Sequence, residues 1–263
     1  MSNYLKHYFH LVDESPWPLI RIVGGIRLAL GLVEFFYFFK LGLCFKRLIL
    51  LLVIMVQWWG DVTREGAFQG FHREITLAGL RLGIILFILS EVCFFFSFFW
   101  AFFHSSFVTP IELGGIWPPT GIVPLQTFQV PLLNTLILVR RGITVTWAHH
   151  RLIDGLHSQV SRGIWLTVIL GVYFSFLQGL EYQETSFTIA DRNYGGTFFL
   201  ITGFHGFHVL VGSIFLIVVL MRAKKAHFRS DHHFGFEAAA WYWHFVDVVW
   251  LFLFVAIYWW GRV

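Results

Sequence analysis

Acids and imidazoles set inside apolar runs are the side chains of this sequence with chemistry to offer. The stretch Phe234–Trp250 reads FGFEAAAWYWHFVDVVW and opens an apolar run that lasts to Trp260. Such a run is long enough to cross a bilayer as a helix. Inside it stand Glu237, His244 and Asp247. Ionisable groups in hydrocarbon are costly and need partners, so each is a candidate functional residue. His244 and Asp247 fall one turn apart on a helical face, and Glu237 lies two turns before His244 on that side. The three are either a polar seam for proton movement or an interhelical hydrogen-bond network that draws in His205 or His208.

Glu91 occupies the middle of LFILSEVCFFF, far from either end of its apolar tract. A side chain this short cannot snorkel to the interface. It is either a carboxyl tied to proton uptake or a hydrogen-bonded lock between two helices. The aromatic stripe Phe94–Phe96, Phe98–Trp100, Phe102–Phe103 that follows it reads as a packing or lipid-facing surface, with guidance of dioxygen as the alternative.

Thirteen histidines raise the question of haem or metal. Haem pairs across a membrane need histidines stacked two turns or more apart on one helix. Here they come as neighbours (His149–His150, His232–His233) or one turn apart (His205–His208). A zinc or copper site at the one-turn pair needs further ligands converging on it. The sequence leads us to expect no metal site in this chain, and His205 and His208 to act as polar glue between helices. The two cysteines, Cys44 and Cys93, form no CxxC pair, which argues against disulfide frameworks and iron–sulfur clusters.

Arg64, Glu65, His72 and Arg81 follow the Trp58–Trp59 pair, and Arg222 and His227 are placed at the same membrane level. Trp rings favour head-group depth and Arg forks bind phosphate bidentately. These residues are candidates for holding phospholipid, or they are ordinary positive anchors. Arg140 and Arg141 are more unusual, standing near the middle of the fourth apolar tract. An arginine at the centre of a lipid-facing helix costs about 3 kcal/mol on insertion scales. Two in succession point about 100° apart, so one partner cannot serve both. At least one is therefore expected to be buried and paired, with Glu34, Glu91, Glu237 and Asp247 as the internal acids and backbone carbonyls, lipid phosphate or a neighbouring subunit as the alternatives.

The elements that must position these groups are membrane helices. The chain has 263 residues, 57% hydrophobic and 13% charged, an all-α polytopic membrane composition. Seven apolar tracts are expected near Pro16–Phe39, Leu41–Gly60, Ile75–Phe103, Val130–His150, Ile164–Tyr182, Gly195–Met221 and Phe236–Trp260. Charges interrupt the first two, and the alternative count is six, with the first helix at the interface. We read a single membrane domain, 1–263, with the first two helices at about 16–60 and the other five at about 75–261. No basic run exceeds two residues, so the net charge of +4 suggests anionic head groups and no nucleic acid. Met1–Asp13 shows neither a cleavable signal nor an Arg-rich transit peptide. Lys6, Arg64, Arg73, Arg151, Arg162, Arg222, Lys224, Lys225 and Arg229 fall on the N-terminal side. Lys40, Arg192 and Arg262 face them, with Lys46 and Arg47 in the first hairpin. This asymmetry puts the N-terminus on the side of synthesis and the C-terminus opposite. The Pro/Gly-rich loop Ile111–Pro124 reads as a cap over helix ends or a docking surface for a partner.

Six segments, in order, closely resemble the subunit III family of mitochondrial cytochrome c oxidases: Trp58–His72, Ser90–Ser106, Glu112–Ile122, Thr146–His150, Gly203–Gly212 and Phe236–Phe252. Arg21–Ile54 carries little of the likeness. The resemblance implies seven transmembrane helices, a two-helix group and a five-helix group around a V-shaped cleft that holds phospholipid. It implies a non-redox subunit, with no catalytic residue of its own, beside a haem-bearing large subunit in the mitochondrial inner membrane. Haem and copper then belong to partner subunits. The N-terminus would face the matrix and the C-terminus the intermembrane space. The family supports proton uptake and sustained turnover, and a part in admitting dioxygen is attributed to it. Glu91 matches the family's buried membrane carboxyl, and the Trp58–Arg81 and Arg222–His227 groups match its lipid positions. From physics alone the alternative is an independent ion or proton transporter. Transporters show repeated halves and broken helices at matching positions, and this sequence has no evident repeat.

Overall fold

A computed structural model describes residues 10–39, 41–109 and 114–262. Lys6, Lys40 and the Ile111–Leu113 part of the loop lie outside the described residues. Among the described residues seven α-helices follow in order: α1 (Trp17–Phe38), α2 (Leu41–Ala67), α3 (Glu74–Phe107), α4 (Val130–Ile153), α5 (His157–Glu184), α6 (Arg192–Lys224) and α7 (Phe234–Leu253). The described residues hold no strand. After α7 the chain winds through a π-helical turn, Phe254–Trp259, and a 3-10 turn, Trp260–Arg262. Helices α2, α3, α5, α6 and α7 with its extension are long and apolar enough to cross a membrane. The 22-residue α1 and 24-residue α4 are the charge-bearing pair. At 1.5 Å per residue they still span about 33 and 36 Å, enough for a hydrocarbon core of about 30 Å.

Several helices outrun their apolar tracts. α2 continues seven residues past Gly60, through DVTREGA, and α5 begins seven residues before Ile164. Hydropathy marks what lies in lipid, whereas a helix continues into water until its backbone is broken. For α2 the break comes at Gly70, whose φ of 69° suits a residue without Cβ.

The chain divides into two compact units, Met1–Leu80 and Arg81–Val263, and the boundary falls within α3. In the first unit α1 and α2 pack as a hairpin. Arg47 pairs with Glu34 at 3.3 Å and its Nη1 donates to the Arg27 carbonyl at 3.1 Å. Trp17 donates its indole N–H to Asp61 at 2.7 Å.

The second unit is a bundle in which α4, α5, α6 and α7 bury a common core. Lipid offers no hydrophobic drive between helices, so close packing over small residues holds them. A Cβ on Gly163 would come 2.8 Å from that of Ala148, and one on Gly171 or Gly212 would come 2.8 Å from the ring of Trp243. Trp243 is fully buried between them. The Gly114–Pro124 part of the loop is tied to the α5–α6 end: Arg192 donates to the Thr120 carbonyl and Ser186 to that of Val123.

Candidate functional site

Polar centres of the second unit join side chains or backbone from more than one element. At the middle of the bundle Arg141 is fully buried and its Nε donates to Asp247 Oδ1 at 2.9 Å. Its Nη2 lies 2.8 Å from the same oxygen. The guanidinium plane is held between Phe174 and Trp243, 4.8 and 4.6 Å from the ring centroids. Aromatic faces thus take the part of the cation that the carboxylate leaves. Gly142 lets α7 come close, since a Cβ there would stand 3.2 Å from Asp247 Oδ2. The expectation that one of the two arginines is buried and paired is met by Arg141, with Asp247 as the acid. Arg140 points to the exposed face, and Glu34 serves Arg47.

Glu91 is the eighteenth of the 34 residues of α3, about 25 Å from either end. His208 Nε2 on α6 lies 3.0 Å from Glu91 Oε2. The Nδ1 of that ring is 2.7 Å from the Phe204 carbonyl, its i−4 backbone oxygen. A carbonyl only accepts, so Nδ1 carries a proton. Phe95 and Tyr242 flank the imidazole, and the Glu91 side chain is 22% exposed. His205, one turn earlier, faces another neighbour: its Nε2 lies 3.2 Å from the Val246 carbonyl on α7, and its ring lies beside Phe174 and Trp250.

The acids and histidine of α7 each face a different residue of α4: His149, Thr146 and Arg141. Glu237 lies seven residues, about 10 Å, from His244, and meets Arg81 of α3 as well as α4. Its two oxygens take the Arg81 fork at 3.0 and 3.2 Å. His233 Nε2 is 3.5 Å from Glu237 Oε1, and His149 from the end of α4 joins them. His244 reaches Thr146 at 3.4 Å, and Asp247 reaches Arg141. Arg81, expected among the lipid anchors, is thus engaged by a carboxylate.

The other lipid candidates divide between the units. In the first, Trp58, Asp61, Arg64, Glu65 and His72 line a pocket of about 610 Å³ with His10. Arg21 lies over the Trp58 ring at 5.4 Å, Trp59 is exposed, and Arg64 pairs with Asp61 at 2.8 Å. His10, Glu65 and His72 present ligand atoms within 4.8 Å of one another. In the second unit Arg222 lies over Phe228 at 4.5 Å. His227, in the α6–α7 link, is held below its ordinary pKa by desolvation and by the charges of Arg222 and Lys225.

Sequence reasoning passed over two buried polar residues near the far end of the bundle. Glu181 and Asn134 are 2% and 0% exposed; the Glu181 carboxyl meets the Tyr258 hydroxyl, and the Asn134 amide finds no hydrogen-bond partner among the described residues. Glu181 stands at the edge of its apolar tract, where an acid reads as interfacial.

The comparisons agree with this architecture. The profile of the family described as Cytochrome c oxidase subunit III matches residues 7–262. A relative from Aedes aegypti named cytochrome c oxidase subunit 3 is 58% identical over 262 residues, covering 100% of both chains. Those of the same name from Drosophila melanogaster and Formosania lacustris are 57% and 60% identical over 99% and 97% of this chain, and 100% and 98% of their own.

Proposed function

The chain belongs to the cytochrome c oxidase subunit III family, and from that premise we propose what it does as a membrane subunit of the oxidase complex. It is a non-redox subunit. Electrons pass from cytochrome c to dioxygen through haem and copper in partner chains, while this chain supports proton uptake, sustains turnover and holds phospholipid. It lies in the mitochondrial inner membrane, N-terminus to the matrix and C-terminus to the intermembrane space. Loop charge supports that orientation.

The observation that carries the proton reading is the Glu91–His208 pair at mid-helix. A carboxyl beside an imidazole can hold a proton between two groups of differing basicity and pass it on. The imidazole also removes the cost of leaving the carboxyl bare in a membrane helix. Glu91→Gln in the assembled oxidase tests it. The amide still accepts and donates hydrogen bonds, so assembly and haem content should be unchanged. Turnover should fall more steeply with rising pH than in the parent, because the variant cannot take up a proton when protons are scarce. Superimposed pH–rate profiles would make Glu91 a lock between α3 and α6 and nothing more.

A further inference from the structure

We propose that His149, His233 and Glu237 form a binding site for a divalent ion of the zinc type, which competes with Arg81 for the carboxylate. One ligand atom from each of the three lies within 4.8 Å of the others. Ligand bonds of 2.0–2.2 Å in a tetrahedron put donors about 3.3 Å apart. His233 Nε2 and Glu237 Oε1, at 3.5 Å, already have that spacing. His149 closes the rest by a side-chain movement of about 1 Å.

The rings are set up as ligands. His233 Nδ1 lies 3.1 Å from the Arg229 carbonyl. A carbonyl can only accept, so Nδ1 bears a proton, and in the neutral ring Nε2 then turns its lone pair toward Glu237. Such an outer hydrogen bond is how ligating histidines are commonly oriented. His149 Nε2 is buried with no hydrogen-bond partner among the described residues. Its ring is stacked on Phe236 with centroids 5.4 Å apart. A buried ring nitrogen without a partner is costly, and a metal ion would supply one. Two imidazoles and one carboxylate suit zinc rather than calcium or magnesium, and leave one tetrahedral position for water.

Arg81 is the resident counter-charge. Its fork covers both Glu237 oxygens, yet its side chain is 46% exposed rather than enclosed by the bundle. A doubly charged ion beside a guanidinium is repelled by it. Binding the ion therefore exchanges a tie between α3 and α7 for one between the end of α4 and the start of α7.

The test uses the intact oxidase complex, stripped with EDTA, titrated with Zn²⁺ and assayed for bound zinc by mass spectrometry against haem. The parent should bind one zinc more per complex than His149→Gln. Arg81→Gln should bind the same number as the parent, with at least tenfold tighter affinity. Zinc-edge anomalous scattering from crystals of the zinc-loaded parent should place an ion between the three side chains, which keeps the site testable should His149→Gln fail to assemble. Equal zinc content in parent and His149→Gln, or no anomalous peak at the triad, overturns the site. Unchanged or weaker affinity in Arg81→Gln overturns the competition.

Discussion

Arg141 and Arg140 are adjacent in sequence and opposite in circumstance. Helical geometry separates their directions by about 100°, so one is fully buried and the other exposed. Breaking a buried pair by removing one partner leaves the other as an uncompensated charge and costs about 3–5 kcal/mol. Arg141→Ala should therefore lower the thermal midpoint at which this subunit leaves the oxidase, measured by scanning calorimetry or dissociation on gel filtration. Arg141→Met with Asp247→Leu should restore most of the loss, because no charge is then left alone. Arg141→Lys should not, since an ammonium lacks the planar fork and stacks poorly between Phe174 and Trp243. An Arg141→Ala complex that melts with the parent would show that the pair contributes nothing. The need for a partner was legible from two charges in an apolar tract. The identity of Asp247 was not, because four acids met the same requirement.

At the scale of elements, α7 is held by what its neighbours lack. Gly171 on α5 and Gly212 on α6 leave the slot that Trp243 fills. An added methyl 2.8 Å from the indole forces a shift, and overpacking of this kind costs about 1–3 kcal/mol. Gly171→Ala and Gly212→Ala should each destabilise the subunit by that amount. Trp243→Phe should relieve part of it in the double variants, read as a recovered thermal midpoint. A Gly171→Ala variant as stable as the parent would mean that the ring has room the structure does not show. The same helix ends in a π-helical turn, where Thr127 donates to the Tyr258 carbonyl at 2.6 Å. Apolar length could not announce that change of pitch. It could announce the helices, because an apolar run of bilayer length has few other uses, but not their ends, which lie in water beyond the hydropathic signal.

For the whole molecule, the aqueous ends of the helices are where lipid head groups and charged side chains meet. The pocket of the first unit combines indole, guanidinium, carboxylate and imidazole groups, the mixture that suits a zwitterionic or anionic head group. Arg64→Ala in the assembled oxidase should release tightly bound phospholipid while the haem spectra stay as in the parent, measured by lipid extraction or native mass spectrometry. Unchanged lipid content would remove Arg64 from the anchors. Arg222 is differently placed, with its guanidinium on Phe228 and close to Gly235.

Membrane class, helix number, the family and the membrane-embedded acids could all be read along the chain, because each depends on composition, local periodicity or contiguous motifs. Glu91 needed a partner wherever it went, since hydrocarbon supplies none. Which groups meet is another matter, settled by how helices distant in sequence pack over small residues. Packing joined Glu91 to His208, Asp247 to Arg141 and Glu237 to Arg81. It also gathered one member of each adjacent histidine pair, His149 and His233, around one carboxylate. Histidines on separate helices leave no spacing to read, so their convergence becomes visible only once the end of α4 is placed against the start of α7.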